Sequence, residues 1–146
     1  QRIIFKFKTE DRKRIFISFV EFLNVAKGGL RMDECIFCQI ARKAIPAKIL
    51  LENEEIIAFQ DINPVAPVHI LLVPKKHISS IMDPKLSEDP ELTTKLFSAI
   101  QEIAEETKIN QEGFRVVINR GVNAGETVPH LHFHLIGGRE LSWPPG

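Results

Sequence analysis

Six residues near the end of the chain alternate strictly between histidine and apolar side chains, as His130-Leu131-His132-Phe133-His134-Leu135. Successive side chains of a β-strand point to opposite faces of the sheet. The alternation therefore predicts a strand over His130–Ile136. We expect its three imidazoles on one face, and its leucines and phenylalanine in a core on the other face.

Four other short stretches have the apolar character of strands and are bounded by turn-forming residues. The predicted strands are Lys48–Leu51, Ile56–Asp61, His69–Pro74 and Phe114–Asn119. Asp61 ends one of these strands and His69 begins the next. We therefore expect both side chains at one edge of the sheet, close to the histidine strand.

A long helix is predicted after residue 89. Asp89-Pro90-Glu91 is typical of a helix start, because a capping acid is followed by proline at the first helical position. Apolar residues then recur at helical spacing through about Lys108. They are Leu92, Leu96, Ile100 and Ile103. Residues 75–90 are expected to form a polar connection in front of this helix.

A short helix is predicted over Glu34–Arg42, with Ile36, Phe37 and Ile40 facing inward. Ile45-Pro46 ends it, because the residue before a proline disfavours helical geometry. The resulting order is short helix, three strands, long helix and two strands. This order predicts an α+β fold with an antiparallel five-stranded sheet, one long helix and one short helix.

The first 31 residues differ from the rest of the chain. They hold eight Lys and Arg against three acids, and five of the ten Phe. Gly28-Gly29 breaks their helical pattern, and Met32 follows. One interpretation is an expression-vector or gene-prediction extension, with Met32 as the natural start. The other is a basic amphipathic organelle-targeting segment, against which the three acids argue. We therefore predict an N-terminal extension over 1–31 and one domain over 32–146.

Composition narrows the classes of protein. A chain of 146 residues, 44% hydrophobic and 26% charged, suits one soluble globular domain. Residues 32–146 hold eleven basic and sixteen acidic residues, which argues against a nucleic-acid surface. No apolar run reaches membrane-spanning length, so no membrane partner is expected. Two cysteines three positions apart form no disulfide framework, which favours the cytoplasm or nucleus, with organelle targeting by 1–31 left open.

The candidate chemistry lies in three places. Imidazoles in strict alternation suit a nucleophile, an acid–base pair or a three-histidine zinc site. A purely structural role is disfavoured, because burying three imidazoles lowers the stability of the fold. Cys35-x-x-Cys38 suits a redox pair, half of a zinc site or two buried thiols. The loop from Arg120 to Val128 contains Gly125, which either brings backbone close to a phosphate or simply forms a turn.

The run from His130 to Ile136 resembles, without a gap, the His-φ-His-φ-His-φ-φ motif (φ apolar) of the histidine triad (HIT) family of nucleotide hydrolases and transferases. Residues 33–146 are most similar to its Hint branch, the purine nucleoside phosphoramidases. Gly-Gly-Arg after the triad and the Trp143 tail argue against the diadenosine-polyphosphate hydrolase branch. Other matching segments are Ile45–Lys48, Phe59–Pro64, Pro67–His69, Pro74–Ile78, Asn119, Gly125–Val128 and the terminal Trp-Pro-Pro-Gly.

This resemblance implies a catalytic set. His132 would be the nucleophile that attacks the α-phosphorus and carries the nucleotidyl group. His130 and His69 would orient it. His134 would hydrogen-bond the phosphate and assist proton transfer, and Thr127 would lie close to the leaving group.

The resemblance also implies contacts to substrate and to a second subunit. Asp61 would accept hydrogen bonds from the ribose hydroxyls, and Asn119 with the Gly125 and Thr127 backbone would hold phosphate. The family forms two-fold homodimers that pair the long helix and an edge strand. Further substrate-binding candidates are Phe37, Ile40 and Phe59, as walls of the base pocket, with Ile62 and with Trp143, which would reach toward the partner's pocket.

Cys35 and Cys38 depart from the Hint pattern. Some bacterial-type HIT proteins use this Cys-x-x-Cys for zinc, together with two histidines that correspond here to His77 and His130. The resemblance therefore implies a closed structural Cys₂His₂ zinc site that leaves His132 free, with no cofactor required for catalysis. Two buried free thiols are the alternative.

Two classes of function remain open from the sequence. One is an enzyme that hydrolyses adenosine or guanosine 5′-phosphoramidates, including AMP joined to lysine-type amines. The other is a non-catalytic nucleotide- or zinc-binding interaction protein, and a dinucleoside polyphosphate hydrolase of the same family is a further alternative. The intact histidine set with Asp61 and Thr127 favours the phosphoramidase.

Overall fold

A computed structural model of the chain describes residues 35–145. The predicted extension over 1–31 and the expected start at Met32 lie outside the described residues. The strands are β1 (Ile49–Glu52), β2 (Ile56–Gln60), β3 (Val68–Pro74), β4 (Phe114–Val117) and β5 (Phe133–Gly137). The helices are α1 (Ile36–Ala41), α2 (Pro84–Ser87) and α3 (Pro90–Glu106), with a 3₁₀ turn at Val122–Ala124.

The five strands form one antiparallel sheet in the order β1-β2-β3-β5-β4, which confirms the predicted α+β fold. β3 lies at the centre, between β2 and β5. Leu71 of β3 is paired with His134 of β5, so the two side chains share a face of the sheet. His69 precedes Leu71 by two residues and therefore also lies on that face.

The long helix α3 packs on the opposite face of the sheet. Its predicted apolar stripe is buried there together with alternate residues of β2, β3 and β5. The helix begins as predicted: the Asp89 side chain accepts a hydrogen bond from the Leu92 N–H at 3.1 Å, and Pro90 follows the cap. Such a cap typically contributes about 1 kcal/mol. We call this apolar layer the long-helix layer.

The short helix α1 packs on the face that carries His69 and His134. Phe37 and Ile40 are buried there with the alternate residues Ile57 and Phe59 of β2, which we call the short-helix layer. Along each inner strand, successive side chains therefore alternate between the long-helix layer and the short-helix layer. His69 is buried on this face, so its imidazole is shielded from solvent.

The strand predicted over His130–Ile136 begins later than expected. β5 runs from Phe133 to Gly137, and the backbone N–H of Leu131 instead donates to the Ile78 carbonyl at 2.7 Å. The segment that carries the first two histidines therefore pairs with the connection after β3 and not with the sheet. The alternation of side chains still holds, because Leu131, Phe133 and Leu135 all enter the long-helix layer.

The connection over residues 75–90 contains one helix that was not predicted. α2 spans only Pro84–Ser87, and its cap Asp83 accepts a hydrogen bond from the Lys85 N–H at 3.1 Å. The Asp-Pro start is the same signal that precedes α3, but no apolar stripe follows it. Within residues 35–145, no helix is long and apolar enough to cross a membrane.

Candidate active site and metal centre

All five histidines and both cysteines of the chain gather at the short-helix side of the sheet and the adjoining connection. They form two groups with His132 between them. The cysteine group consists of Cys35, Cys38, His77 and His130. The relay group consists of Asp61, His69 and His134. The ligand or donor atoms within each group all lie within 4.8 Å of one another.

The hydrogen bonding of His132 leaves one ring nitrogen free. Its Nδ1 lies 2.7 Å from the main-chain carbonyl oxygen of His130. A carbonyl oxygen only accepts, so the ring proton resides on Nδ1 and the lone pair on Nε2. Phe37 contacts the ring at 5.1 Å between centroids, in an edge arrangement, and only 6% of His132 is exposed. This arrangement prepares Nε2 to attack an electrophile.

The relay group has a defined direction of hydrogen bonding. The Val65 N–H donates to Nδ1 of His69 at 3.2 Å, so the proton of His69 resides on Nε2. That Nε2 lies 2.9 Å from Nδ1 of His134 and 3.4 Å from Oδ2 of Asp61. His134 accepts on Nδ1 and therefore carries its own proton on Nε2. This buried N–H finds no partner among the described residues.

Burial keeps the rings of the relay group uncharged near neutral pH. It lowers the pKa of His134 to about 4, and the neighbouring His132 and His69 lower it further, whereas Asp61 opposes the shift. Burial likewise lowers the pKa of His69, again against the pull of Asp61. Because each ring holds one proton, the hydrogen bonds fix which nitrogen carries it. His134 thus offers a neutral donor beside the free nitrogen of His132.

The cysteine group has the dimensions of a tetrahedral metal site. Nδ1 of His130 lies 3.4 Å from Sγ of Cys35 and 3.5 Å from Sγ of Cys38, and Nδ1 of His77 lies 3.2 Å from Sγ of Cys38. Ligand bonds of the usual zinc lengths place neighbouring ligand atoms roughly 3.3–3.8 Å apart. Nε2 of His130 donates to the Pro74 carbonyl at 2.8 Å, so its Nδ1 lone pair faces the thiols. The four residues therefore fit zinc.

The protonation of this group agrees with a site that needs a cation. Burial raises the pKa of Cys38 to about 12, and Cys35 adds to the shift. Burial lowers the pKa of His130 to about 4, so this imidazole is neutral, as a metal ligand must be. A bound zinc ion would supply structural cross-linking of α1 to the connection and would displace the thiol protons.

Hydrogen bonds around the two groups distinguish them as metal sites. A histidine that binds a metal through one nitrogen usually donates a hydrogen bond from the other. His130 meets this requirement through Pro74. His69 does not, because a metal on its Nε2 would require a proton on Nδ1, where the Val65 N–H already points. The relay group therefore suits proton positioning, although its atoms are close enough for an ion.

The loop before the triad is held by a residue to which the sequence assigned no role. Oε2 of Glu126 accepts from the Gly121 N–H at 2.8 Å and from Nη1 of Arg120 at 2.9 Å. Gly121 and Gly125 have φ of 85° and 76°, which favours glycine. The Gly125 N–H donates to the Val122 carbonyl at 3.0 Å, so the phosphate contact expected from it needs a rearrangement of the 3₁₀ turn.

The remaining predicted contacts divide into buried and exposed residues. The three expected walls of the base pocket lie together in the short-helix layer, with the Phe37 and Phe59 rings 5.8 Å apart between centroids. Asn119 is half-buried beyond the end of β4, and Thr127 is exposed. Ile62 is 46% exposed and Trp143 is 83% exposed, so Trp143 is not packed into this chain's own site.

Two contacts differ in detail from those expected. His69 was predicted to orient His132, but its imidazole is hydrogen-bonded to His134. His130 does hold His132, but through its main-chain carbonyl, while its side chain belongs to the cysteine group. Sequence reasoning also missed Val65 and Pro74, because both act through main-chain groups that every residue type possesses.

The fold and the site define a small α+β protein in which a buried histidine with a free Nε2 lone pair lies beside a Cys₂His₂ group. The HIT domain family matches residues 42–141, and the chain belongs to this family. Among curated relatives, an uncharacterized HIT-like protein of Synechocystis sp. is 46% identical over 118 residues, covering 78% of this chain and 98% of the relative. Protein HitA of Neisseria gonorrhoeae is 43% identical over 106 residues, with coverage of 73% and 97%.

Solved structures agree with this assignment. A HIT family hydrolase from Legionella pneumophila is 42% identical, with a TM-score of 0.74 and coverage of 77% of this chain and 99% of that chain. A histidine triad nucleotide-binding protein from Candida albicans is 29% identical, with a TM-score of 0.65 and coverage of 75% and 82%. The chain therefore resembles HIT family hydrolases in both sequence and structure.

Proposed function

We propose that this protein hydrolyses purine nucleoside 5′-phosphoramidates, such as AMP joined to a lysine-type amine, through a nucleotidyl-histidine intermediate. One observation carries the proposal: the Nδ1 proton of His132 is held by the His130 carbonyl, which leaves the Nε2 lone pair free. The name of the Candida albicans protein, which refers to nucleotide binding, supports a nucleotide as the substrate.

The proposed reaction has two displacements at phosphorus. Nε2 of His132 attacks the α-phosphorus, the P–N bond of the substrate breaks, and the amine leaves with a proton taken from solvent. Water then attacks the same phosphorus, the bond from phosphorus to Nε2 breaks, and AMP leaves while one water proton returns to solvent. Splitting one displacement into two in this way is the general advantage of a covalent nucleophile.

The surrounding residues have distinct proposed roles. The unpartnered Nε2–H of His134 would donate to a non-bridging phosphoryl oxygen, where charge accumulates in the transition state. A neutral ring whose Nδ1 already accepts a hydrogen bond is better suited to this role than to releasing its only proton. Asp61 would accept hydrogen bonds from the ribose, and the exposed Thr127 hydroxyl would lie at the leaving amine.

Trapping the intermediate tests this proposal. The protein is mixed with a fluorogenic AMP–amine substrate, quenched in base within milliseconds to seconds, and analysed by intact mass and peptide mapping. We expect amine release together with an AMP adduct on His132. Amine release without any adduct would contradict the covalent mechanism, and neither release nor adduct would favour the binding-protein alternative.

We further propose that the HIT domain extends over 32–146 and that its cysteine group holds a structural zinc ion. The fit of the four ligand atoms and the Pro74 contact of His130 support the zinc proposal. Catalysis at His132 requires no cofactor in this scheme.

The protein is also proposed to form a two-fold homodimer. β4 is an edge strand, and Val116 opposes Leu135, so Val116 and Phe114 point to the long-helix face. Both are 38% exposed, and Phe97 on α3 is 57% exposed. These three apolar side chains give one face that a second copy can cover, as the resemblance to dimeric HIT proteins implies.

Light scattering checks the dimer. We expect about twice the mass of one chain at micromolar concentration, and a shift toward one chain in a Phe97→Lys, Val116→Lys variant, because buried charges without partners are costly. A Val122→Lys variant serves as the control, since Val122 is 92% exposed on the 3₁₀ turn. A wild-type protein with the mass of a single chain would contradict the proposal.

A further inference from the structure

The turn that follows β5 packs against the loop between β2 and β3. Nε of Arg139 donates to the Val65 carbonyl at 3.0 Å. Gly138 has φ of 81°, and a Cβ at this position would lie 3.1 Å from Cβ of Pro67. The lack of a side chain at Gly138 therefore lets the two segments approach closely enough for the Arg139 contact.

Val65 connects this turn to the relay group. Its carbonyl accepts from Arg139, and its own N–H donates to Nδ1 of His69. Val65 is 56% exposed, so its side chain contributes little to holding the loop. The orientation of its main chain depends instead on the Arg139 contact and on the prolines around it, Pro64 and Pro67.

We propose that Arg139 is a positioning residue, which acts through the Val65 main chain to fix the tautomer of His69 and thereby that of His134. The functional part of this inference rests on the proposed phosphoramidase. Arg139 touches neither the substrate nor the reacting atoms. Its effect is to keep a proton, and not a lone pair, on Nε2 of His134.

The direction of the hydrogen bonds in the relay group explains why the Val65 N–H affects the tautomer of His134. If the Val65 N–H moved away, His69 could carry its proton on Nδ1 and turn a lone pair toward Nδ1 of His134. His134 would then donate from Nδ1 and present a lone pair on Nε2. A lone pair there would repel the anionic phosphoryl oxygen that the N–H would otherwise bind. The Asp61 carboxylate, 3.4 Å from Nε2 of His69, favours the same direction as Val65.

Histidine ¹⁵N NMR tests the inference directly. Long-range ¹H–¹⁵N spectra at about pH 7.5, above the ordinary histidine pKa, distinguish the two neutral tautomers. In the wild-type protein we expect His69 and His134 to carry their protons on Nε2. In Arg139→Ala we expect a substantial Nδ1–H population of both rings, with a smaller shift in Arg139→Lys. A wild-type His69 protonated on Nδ1 would overturn the proposal.

A matched variant controls for the loss of an arginine. The half-buried Arg115 also donates from its side chain to a main-chain carbonyl, that of Ser142, at 2.8 Å. Arg115→Ala should leave the tautomers of His69 and His134 unchanged. Val65→Pro removes the donating N–H itself and should shift the tautomers at least as far as Arg139→Ala. Unchanged tautomers in Arg139→Ala would refute the positioning role of Arg139, even if Val65→Pro shifts them.

Steady-state kinetics measures the consequence. Removing His134 itself is expected to lower kcat about 10²–10³-fold, as for other donors that stabilise charge in the transition state. Arg139→Ala acts indirectly through one hydrogen bond, so we expect kcat to fall about five- to tenfold with KM within about twofold. Different results contradict the two proposals. A wild-type protein that forms no adduct would contradict the proposed phosphoramidase activity. Unchanged tautomers and an unchanged kcat in Arg139→Ala would contradict the positioning role of Arg139.

Discussion

His132→Asn is expected to abolish turnover of an AMP–amine substrate while AMP binding persists. The asparagine amide can still donate to the His130 carbonyl, as Nδ1 of His132 does, so the local backbone is preserved. It has no nitrogen lone pair for attack on phosphorus. Removing a covalent nucleophile lowers kcat by about four to six orders of magnitude in comparable enzymes.

Stopped assays over hours and calorimetric titration with AMP check this result. We expect no adduct by intact mass. The Kd for AMP should stay within about threefold of the wild-type value, which corresponds to a change in binding free energy below about 1 kcal/mol. A zinc-dependent hydrolase would behave oppositely: it would fail on chelation and survive His132→Asn, because metal-bound water would attack. Near-full activity of His132→Asn would show that the proposed covalent mechanism is wrong.

Cys35→Ser is expected to remove the metal and to cause the largest loss of stability among the variants considered. Protein purified without added metal should contain about one zinc per chain, and the variant should contain none. A ligand that binds only the folded state at about 1,000 times its Kd contributes about 4 kcal/mol. For a domain of this size, that loss corresponds to a decrease in Tm of at least about 10 °C.

Elemental analysis and thermal unfolding check the zinc prediction together. Chelated wild-type protein should unfold near the temperature of Cys35→Ser, and added zinc should restore only the wild type. Asp61→Asn is the matched control, because it alters the relay group, whose hydrogen bonds do not suit a metal, and it should retain one zinc per chain. Wild-type protein without zinc and with full stability would leave the cysteines as ordinary core residues.

The parts of the fold that the sequence predicted are those encoded by local patterns. Strict alternation placed Leu131, Phe133 and Leu135 in one layer, and the Asp-Pro start of α3 set its first turn. The strand limit at Phe133 was missed, because pairing depends on which distant backbone lies alongside. The alternation of apolar and polar residues predicts the direction of side chains. The backbone hydrogen bonds of a strand depend in addition on the second chain segment that pairs with it.

The candidate site could likewise be predicted from the sequence only in part. The residue types that carry the chemistry were visible from the sequence, since few other side chains offer imidazole nitrogens or thiols. Their partners were not visible, because the groups that fix the tautomers are main-chain atoms of Val65, Pro74 and His130. Any residue supplies such atoms, so only the folded chain reveals which of them lie within hydrogen-bond distance.

The double use of His130 constrains how this protein can change during evolution. Its side chain belongs to the cysteine group, while its carbonyl holds the proton of His132. A lineage that loses both cysteines but keeps His130 leaves a buried Nδ1 without its two thiol partners, which costs about 1–3 kcal/mol. Substitutions at positions 35, 38, 77 and 130 should therefore be strongly epistatic. Metal-free descendants are expected to exchange them together, or only after a stabilising change elsewhere in the core.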